Sequence, residues 1–185
     1  MNEQVALSLR EQMRILSLWF TVLWGLFIAE RLFHFPLSKI FGIKPRHPLG
    51  LIGIPLSPLF HGNLGHLTAN SVPLFFLAWL TMLTDRFWLV SGVIILVGGT
   101  GIWLIGRHKT NHIGASSLIY GYLGYLVLYG LRMGEQQLFI AALLLAWVYR
   151  YAVYGLHPRM KEQQLSWEGH LFGLIGGIAA AWWLT

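Results

Sequence analysis

The chain has 185 residues, of which 56% are hydrophobic and 11% charged, with a mean hydropathy of +0.60. Ordinary soluble domains carry about 25% charged residues, so this composition excludes a conventional soluble fold and reads as one polytopic membrane domain. The formal charge of +6 is scattered without a basic run, which argues against nucleic-acid binding, and the lack of cysteine excludes disulfides, thiolate catalysis and Cys-based metal centres.

Residues 1–14 form a polar tail of mixed charge, without the basic flank and small-residue cleavage site of a signal peptide. The first apolar segment is therefore expected to stay in the protein. Six apolar segments follow, at about 15–34, 64–83, 87–106, 114–130, 137–155 and 167–185. Each is close to the ~20 residues that a helix needs to cross a bilayer. Helix is the expected form, because an open strand would leave backbone groups unpaired in lipid. The predicted fold is thus an all-α polytopic membrane protein, a bundle of six transmembrane helices over residues 15–185.

The first segment ends in Glu30, Arg31 and His34, read as a salt-bridged helix end. Residues 35–63 hold five of the seven prolines yet are rich in Leu, Ile and Phe. That mixture predicts a structured loop at the membrane interface, with short helices. The second segment carries His66 and Asn70 at i, i+4 spacing and a kinking Pro73. The third looks structural. The fourth opens on Gly114-Ala-Ser116, with Tyr120 one turn below Ser116 on the same face. Gly114, Ser117, Gly121 and Gly124 make a small-residue stripe that lets a second helix approach closely. The fifth is aromatic-rich, as at a membrane interface. A polar loop at 157–164 leads to the sixth, which holds His170 beside Gly169, Gly173 and Gly177.

Segments two, four and six cross in one direction by parity. His66, Asn70, Ser116 and His170 all lie near the starts of those segments, hence on one side and at similar depth. A serine is a weak nucleophile until a base takes its proton, and histidine can do so near neutral pH. Asn70, His66 and the Ser116 N–H could hold the resulting oxyanion. Glu168 is near the surface and no other carboxylate matches the depth, so a Ser–His dyad is expected rather than a triad. Taken alone, a membrane serine more often bonds back to its own helix, and Tyr120 more often packs. An intramembrane histidine, by contrast, is functional by default.

These residues resemble the rhomboid family of intramembrane serine proteases. The resemblance rests on Gly114-Ala115-Ser116 in the fourth span, His66-Leu-Thr-Ala-Asn70 in the second with His61 five residues earlier, and His170-Leu-Phe-Gly173 with Gly177 in the sixth. It covers nearly the whole chain. It implies Ser116 as nucleophile, His170 as general base, and His66, Asn70 and the Ser116 N–H as oxyanion hole. It implies Tyr120 packed on His170, with His61, Gly114 and Gly173 in supporting roles. No metal or cofactor is implied. The implied partners are single-span or multi-span membrane-protein substrates in a lipid bilayer, and the implied location is the bacterial inner (cytoplasmic) membrane.

Three departures stand out. Ser117 replaces a glycine that often follows the nucleophile. The Trp-Arg pair common in the first loop is missing. The site-side loops carry Lys39, Lys44, Arg46, Arg107, Lys109, Arg159 and Lys161, seven cations against four on the other side (Arg10, Arg14, Arg86 and Arg132), which opposes the outward-facing site of bacterial family members. One rival reading is a catalytically silent rhomboid-like protein that binds membrane clients, though such relatives lose the Ser or His kept here. Another is a metal-dependent enzyme or transporter using His61, His66 and His170, for which no His-Glu-x-x-His motif is present.

Overall fold

The computed structural model describes residues 8–149 and 166–185. Its described part is all helical: α1 (Leu9–Phe33), α2 (Leu37–Ile40), α3 (Gly50–Leu56), a 3-10 turn (Ser57–Leu59), α4 (Leu64–Met82), α5 (Phe87–Ile105), α6 (Ser116–Met133), α7 (Gln136–Val148) and α8 (Trp167–Leu184). The C-terminal part of the fifth apolar segment beyond Tyr149, and the 157–164 loop, lie outside the described residues. By length and composition α1 and α5 are each apolar enough to cross a bilayer.

α1 begins six residues before the predicted segment. Ser8 and Glu11 form a reciprocal cap: Glu11 N–H donates to Ser8 Oγ, and Ser8 N–H to Glu11 Oε2 at 2.8 Å. This satisfies two amide donors that a bare helix start would leave open. The expected ion pair at the other end of α1 does not form. Buried Glu30 instead accepts from the Ser38 hydroxyl at 2.5 Å. Arg31 donates to the Gly62 carbonyl at 2.6 Å and lies 4.6 Å above the Phe27 ring. Each charge is drawn to a different part of the following loop, so the two do not meet.

That loop is ordered by close backbone approaches. A Cβ at Gly50 would strike the Lys44 backbone, and one at Gly53 the Gly42–Ile43 backbone. Ile43 and His112 exchange both backbone hydrogen bonds at 2.9 Å, an isolated antiparallel bridge between the first loop and the segment ahead of α6.

α8 packs most extensively against α6 and α5, and α4 packs on α6 from another side. Glycine makes the α6–α8 contact possible. A Cβ on Gly173 would strike the Ser117 carbonyl, and one on Gly177 the Gly121 carbonyl. Gly98 on α5 would bring a Cβ within 3.5 Å of the Gly173 backbone. The stripe at Ser117, Gly121 and Gly124 is therefore a backbone-to-backbone seam, as small-residue faces allow. Gly114 stands outside the seam, in the turn before α6. The core around it joins Leu67, Leu74 and Ala78 of α4 to Ile94, Tyr122, Tyr125 and Ala180. Its polar atoms are paired within it: Ser91 with Tyr122 at 2.7 Å and Tyr125 with Thr84 at 3.0 Å.

Candidate active site

Ser116 is the first residue of α6 and is half-buried. Gly114, two residues before it, has φ +110°, a conformation that side chains with a Cβ rarely adopt. Its N–H donates to the Ser57 carbonyl at 2.9 Å, so the 3-10 turn of the first loop fixes this bend. Space requires glycine as well. A Cβ there would lie 2.6 Å from His66 Cε1, 2.7 Å from His66 Nε2 and 3.4 Å from Asn70 Nδ2. The His66 ring and the Asn70 amide thus converge on the backbone that leads into Ser116.

His66 and Asn70 share a face of α4, which starts at Asn63. The Asn63 side chain caps the helix by accepting from His66 N–H at 2.8 Å. His61 lies just before this start and is 1% exposed. Its Nε2 faces two groups, the Asn70 amide nitrogen at 3.1 Å and the Ala115 N–H at 3.4 Å. Both are N–H donors, so Nε2 is the acceptor and the ring is neutral with its hydrogen on Nδ1. Burial, with a smaller contribution from neighbouring His66, pushes the His61 pKa down to about 3. One N–H of Asn70 is thereby held by His61, which orients the amide and leaves its second N–H for another acceptor. His61 and His66 lie ring to ring at 5.1 Å. Among the described residues no third His, Asp or Glu joins them, so they do not make a three-donor metal set.

On the other side, buried His170 stacks on Tyr120, with ring centroids 4.3 Å apart and planes 18° from parallel. Tyr120 is one turn below Ser116 on the same face of α6. The stack and the Gly173–Ser117 seam fix the first turns of α6 and α8 against each other. Among the described residues Tyr120 Oη is buried without a hydrogen-bond partner. A small apolar cleft between α4, α6 and α7 runs past the same ring, lined by Pro73, Leu77, Ile119, Leu145 and Tyr149. The structure so gathers His61, His66, Asn70 and Gly114 on one side of the α6 start, and Tyr120, His170 and Gly173 on the other.

Two residues absent from the sequence reading also belong to this region. Ser166 caps α8, its Oγ accepting from Gly169 N–H at 2.9 Å. Buried His112, four residues before Ser116, meets Ser166 Oγ through Nδ1 at 2.5 Å. A serine just ahead of an apolar run is a legible cap, but no local pattern marks its histidine partner 54 residues away.

Comparison with known proteins gives the family. Residues 50–185 match the family described as Rhomboid domain. An uncharacterized protein of Mycobacterium bovis is 38% identical over 152 residues, covering 78% of this chain and 63% of its own length. One of Mycobacterium leprae is 36% identical over 143 residues, covering 73% and 57%. The chain thus spans about 63% of the length of the first of these relatives. A protein of Acanthamoeba polyphaga mimivirus that carries a rhomboid name is 27% identical over 138 residues, 69% of this chain and 72% of its own. With a match that takes in α3 through α8 and every residue of the site just described, the chain belongs to the rhomboid family, whose members are membrane proteins.

Proposed function

We propose that this protein is an intramembrane serine endopeptidase that cleaves peptide bonds in or near transmembrane segments of membrane-protein substrates. In this reading α1, α4, α5, α6, α7 and α8 are six membrane spans, in a bacterial inner membrane. The observation that carries it is the pairing of two features around one helix start. The His170 imidazole is held by Tyr120 one turn from Ser116, while the His66 ring and Asn70 amide converge on Gly114.

The chemistry follows from those groups. His170 takes the proton of Ser116 Oγ as the oxygen attacks the substrate carbonyl carbon. The carbonyl oxygen becomes an oxyanion, which the second Asn70 N–H, His66 and the Ser116 N–H stabilise. The C–N bond breaks as His170 passes its proton to the departing amine, leaving an acyl-Ser116 ester. Water then attacks the ester, giving its proton to His170, and the acid leaves as Ser116 regains its hydrogen. No step calls on a metal or cofactor.

Ser116→Ala and His170→Ala are each expected to abolish cleavage of a reconstituted transmembrane substrate, with the fold retained. Ser117→Ala retains cleavage, because its backbone faces Gly173 in the helix seam. His66→Ala or Asn70→Ala should lower kcat by ~10²–10³ with little change in substrate affinity. A fluorophosphonate probe, with the modified residue mapped by mass spectrometry, should label Ser116. Labelling of Ser117 instead, or full activity in His170→Ala, removes the dyad.

A further inference from the structure

The segments that carry the two candidate catalytic residues are joined upstream of them. Ser116 follows His112 by four residues and His170 follows Ser166 by four, and His112 and Ser166 bond to each other at 2.5 Å. His170 N–H also donates to the Ser166 carbonyl at 3.2 Å, so Ser166 sits directly in the helix turn that carries the base.

The hydrogens along this connection can be assigned from its ends. The Thr110 hydroxyl lies 2.6 Å from the Arg107 carbonyl, which can only accept, so the hydroxyl hydrogen goes there. The other contact of Thr110 Oγ1 is His112 Nε2 at 2.7 Å, and that nitrogen must donate. In a neutral ring Nδ1 is then an acceptor, filled by the Ser166 hydroxyl. The Ser166 oxygen in turn accepts from Gly169 N–H at 2.9 Å. Every hydrogen in the chain from Gly169 to Arg107 has one direction. A second link runs beside it, from Arg107 Nε to buried Glu168 Oε1 at 2.7 Å. Gly106 leaves the room His112 needs, since a Cβ there would lie 3.2 Å from Nε2. His112 is also anchored through both backbone bonds to Ile43.

We propose that His112 and Ser166 are positioning residues, a strap that sets His170 against Ser116 by holding the first turn of α8 to the segment ahead of α6. The inference rests on the protease reading above. The strap touches no reacting atom. It acts through the placement of the imidazole, where a shift of about 1 Å can cost 10²-fold in rate.

Four variants and one spectrum test it. Ser166→Gly removes the hydroxyl from which His112 Nδ1 accepts, and glycine is still tolerated at a helix cap. His112→Phe keeps the ring volume and loses both bonds. Each should lower kcat about 10- to 100-fold with KM within about twofold of wild type, and should slow fluorophosphonate labelling of Ser116 in parallel. Ser166→Thr keeps cap and hydroxyl and should restore most of the rate that Ser166→Gly loses. Ser166→Ala supplies the spectral control. In ring 15N NMR of micelle-embedded protein, His112 should carry its hydrogen on Nε2, and its Nδ1 shift should move in Ser166→Ala. Wild-type kcat in correctly folded Ser166→Gly and His112→Phe overturns the proposal, as does a wild-type His112 ring protonated on Nδ1. A wild-type protein that never reacts at Ser116 would overturn the protease reading instead, and the ring-nitrogen measurement would still decide whether the strap exists.

Discussion

On the side of α6 that faces α8, Ser117, Gly121 and Gly124 meet Gly173, Gly177 and Leu174, and the contact is between backbones. On the side that faces α7, a backbone approach is found near the start of that helix, and beyond it side chains line a cleft. α7 has one buried residue, Ala142, while Ile140, Leu143, Leu144, Trp147 and Val148 are exposed. It is held closely near its start, where a Cβ on Gly130 would come within 2.8 Å of Phe139 Cβ and 2.9 Å of the Phe139 backbone nitrogen. Further along, the apolar cleft separates it from α4 and α6. A backbone seam has no flexible part that can move aside, so it fixes distance. A side-chain contact can repack. The proposed base thus rides on the neighbour with the fixed spacing, and Tyr120 stands between the two regimes, stacked on His170 and lining the cleft.

The seam can be broken most directly at Gly177. Its added Cβ meets the Gly121 carbonyl, which cannot rotate away, so Gly177→Ala should cost about 3 kcal/mol or more in thermal or denaturant unfolding in micelles. Leu144→Ala on exposed α7 should stay within about 0.5 kcal/mol. Equal losses in the two variants would erase the contrast.

Acid should loosen the α8 side by a smaller amount. Burial, partly offset by Glu168 and reinforced by Arg107, holds the His112 pKa down to about 4 from its usual 6.5. Between those values the unfolded chain binds a proton that folded His112 refuses. Stability is therefore full above about pH 6.5 and falls as the pH drops toward about 4, by roughly 1–3 kcal/mol. Unfolding midpoints across pH 4–7 should show the slopes of His112 and of His61 together, and His112→Gln should remove the His112 part and leave the His61 part.

The smallest effect is expected at the boundary residue. Tyr120 Oη is buried and makes no hydrogen bond among the described residues, where its hydroxyl contributes desolvation cost without a return. Tyr120→Phe should leave stability unchanged or slightly raised. A loss above about 1 kcal/mol would mean that the hydroxyl has a partner, and that the ring is held from the α7 side too.

The seam was legible in the sequence because glycine spacing is a local signal, and so were the positions that cluster at the α6 start. The start of α1 was legible too, in Ser8 and Glu11, but the polar character of residues 9–14 outweighed the cap in a reading led by hydropathy. Glu30 and Arg31 misled because adjacent opposite charges suggest a pair, whereas each side chain found a nearer partner in the folded loop. Gly114 reads as a member of the small-residue stripe. Only the backbone shows that it is a left-handed turn with no room for a Cβ beside His66. His112 and Ser166 are ordinary polar loop residues until the chain brings them together across 54 positions.

The bridge between Ile43 and His112 makes the first loop part of the scaffold rather than an appendage. Together with the Ser57 carbonyl on Gly114 and the Ser38 carbonyl on Asn111 Nδ2 at 2.9 Å, it ties that loop at three points to the five residues before α6. Chimaeras that transplant residues 35–63 from a relative would inherit a foreign template for the approach to Ser116. Such grafts should work only when the residues that dock at these points travel with the loop.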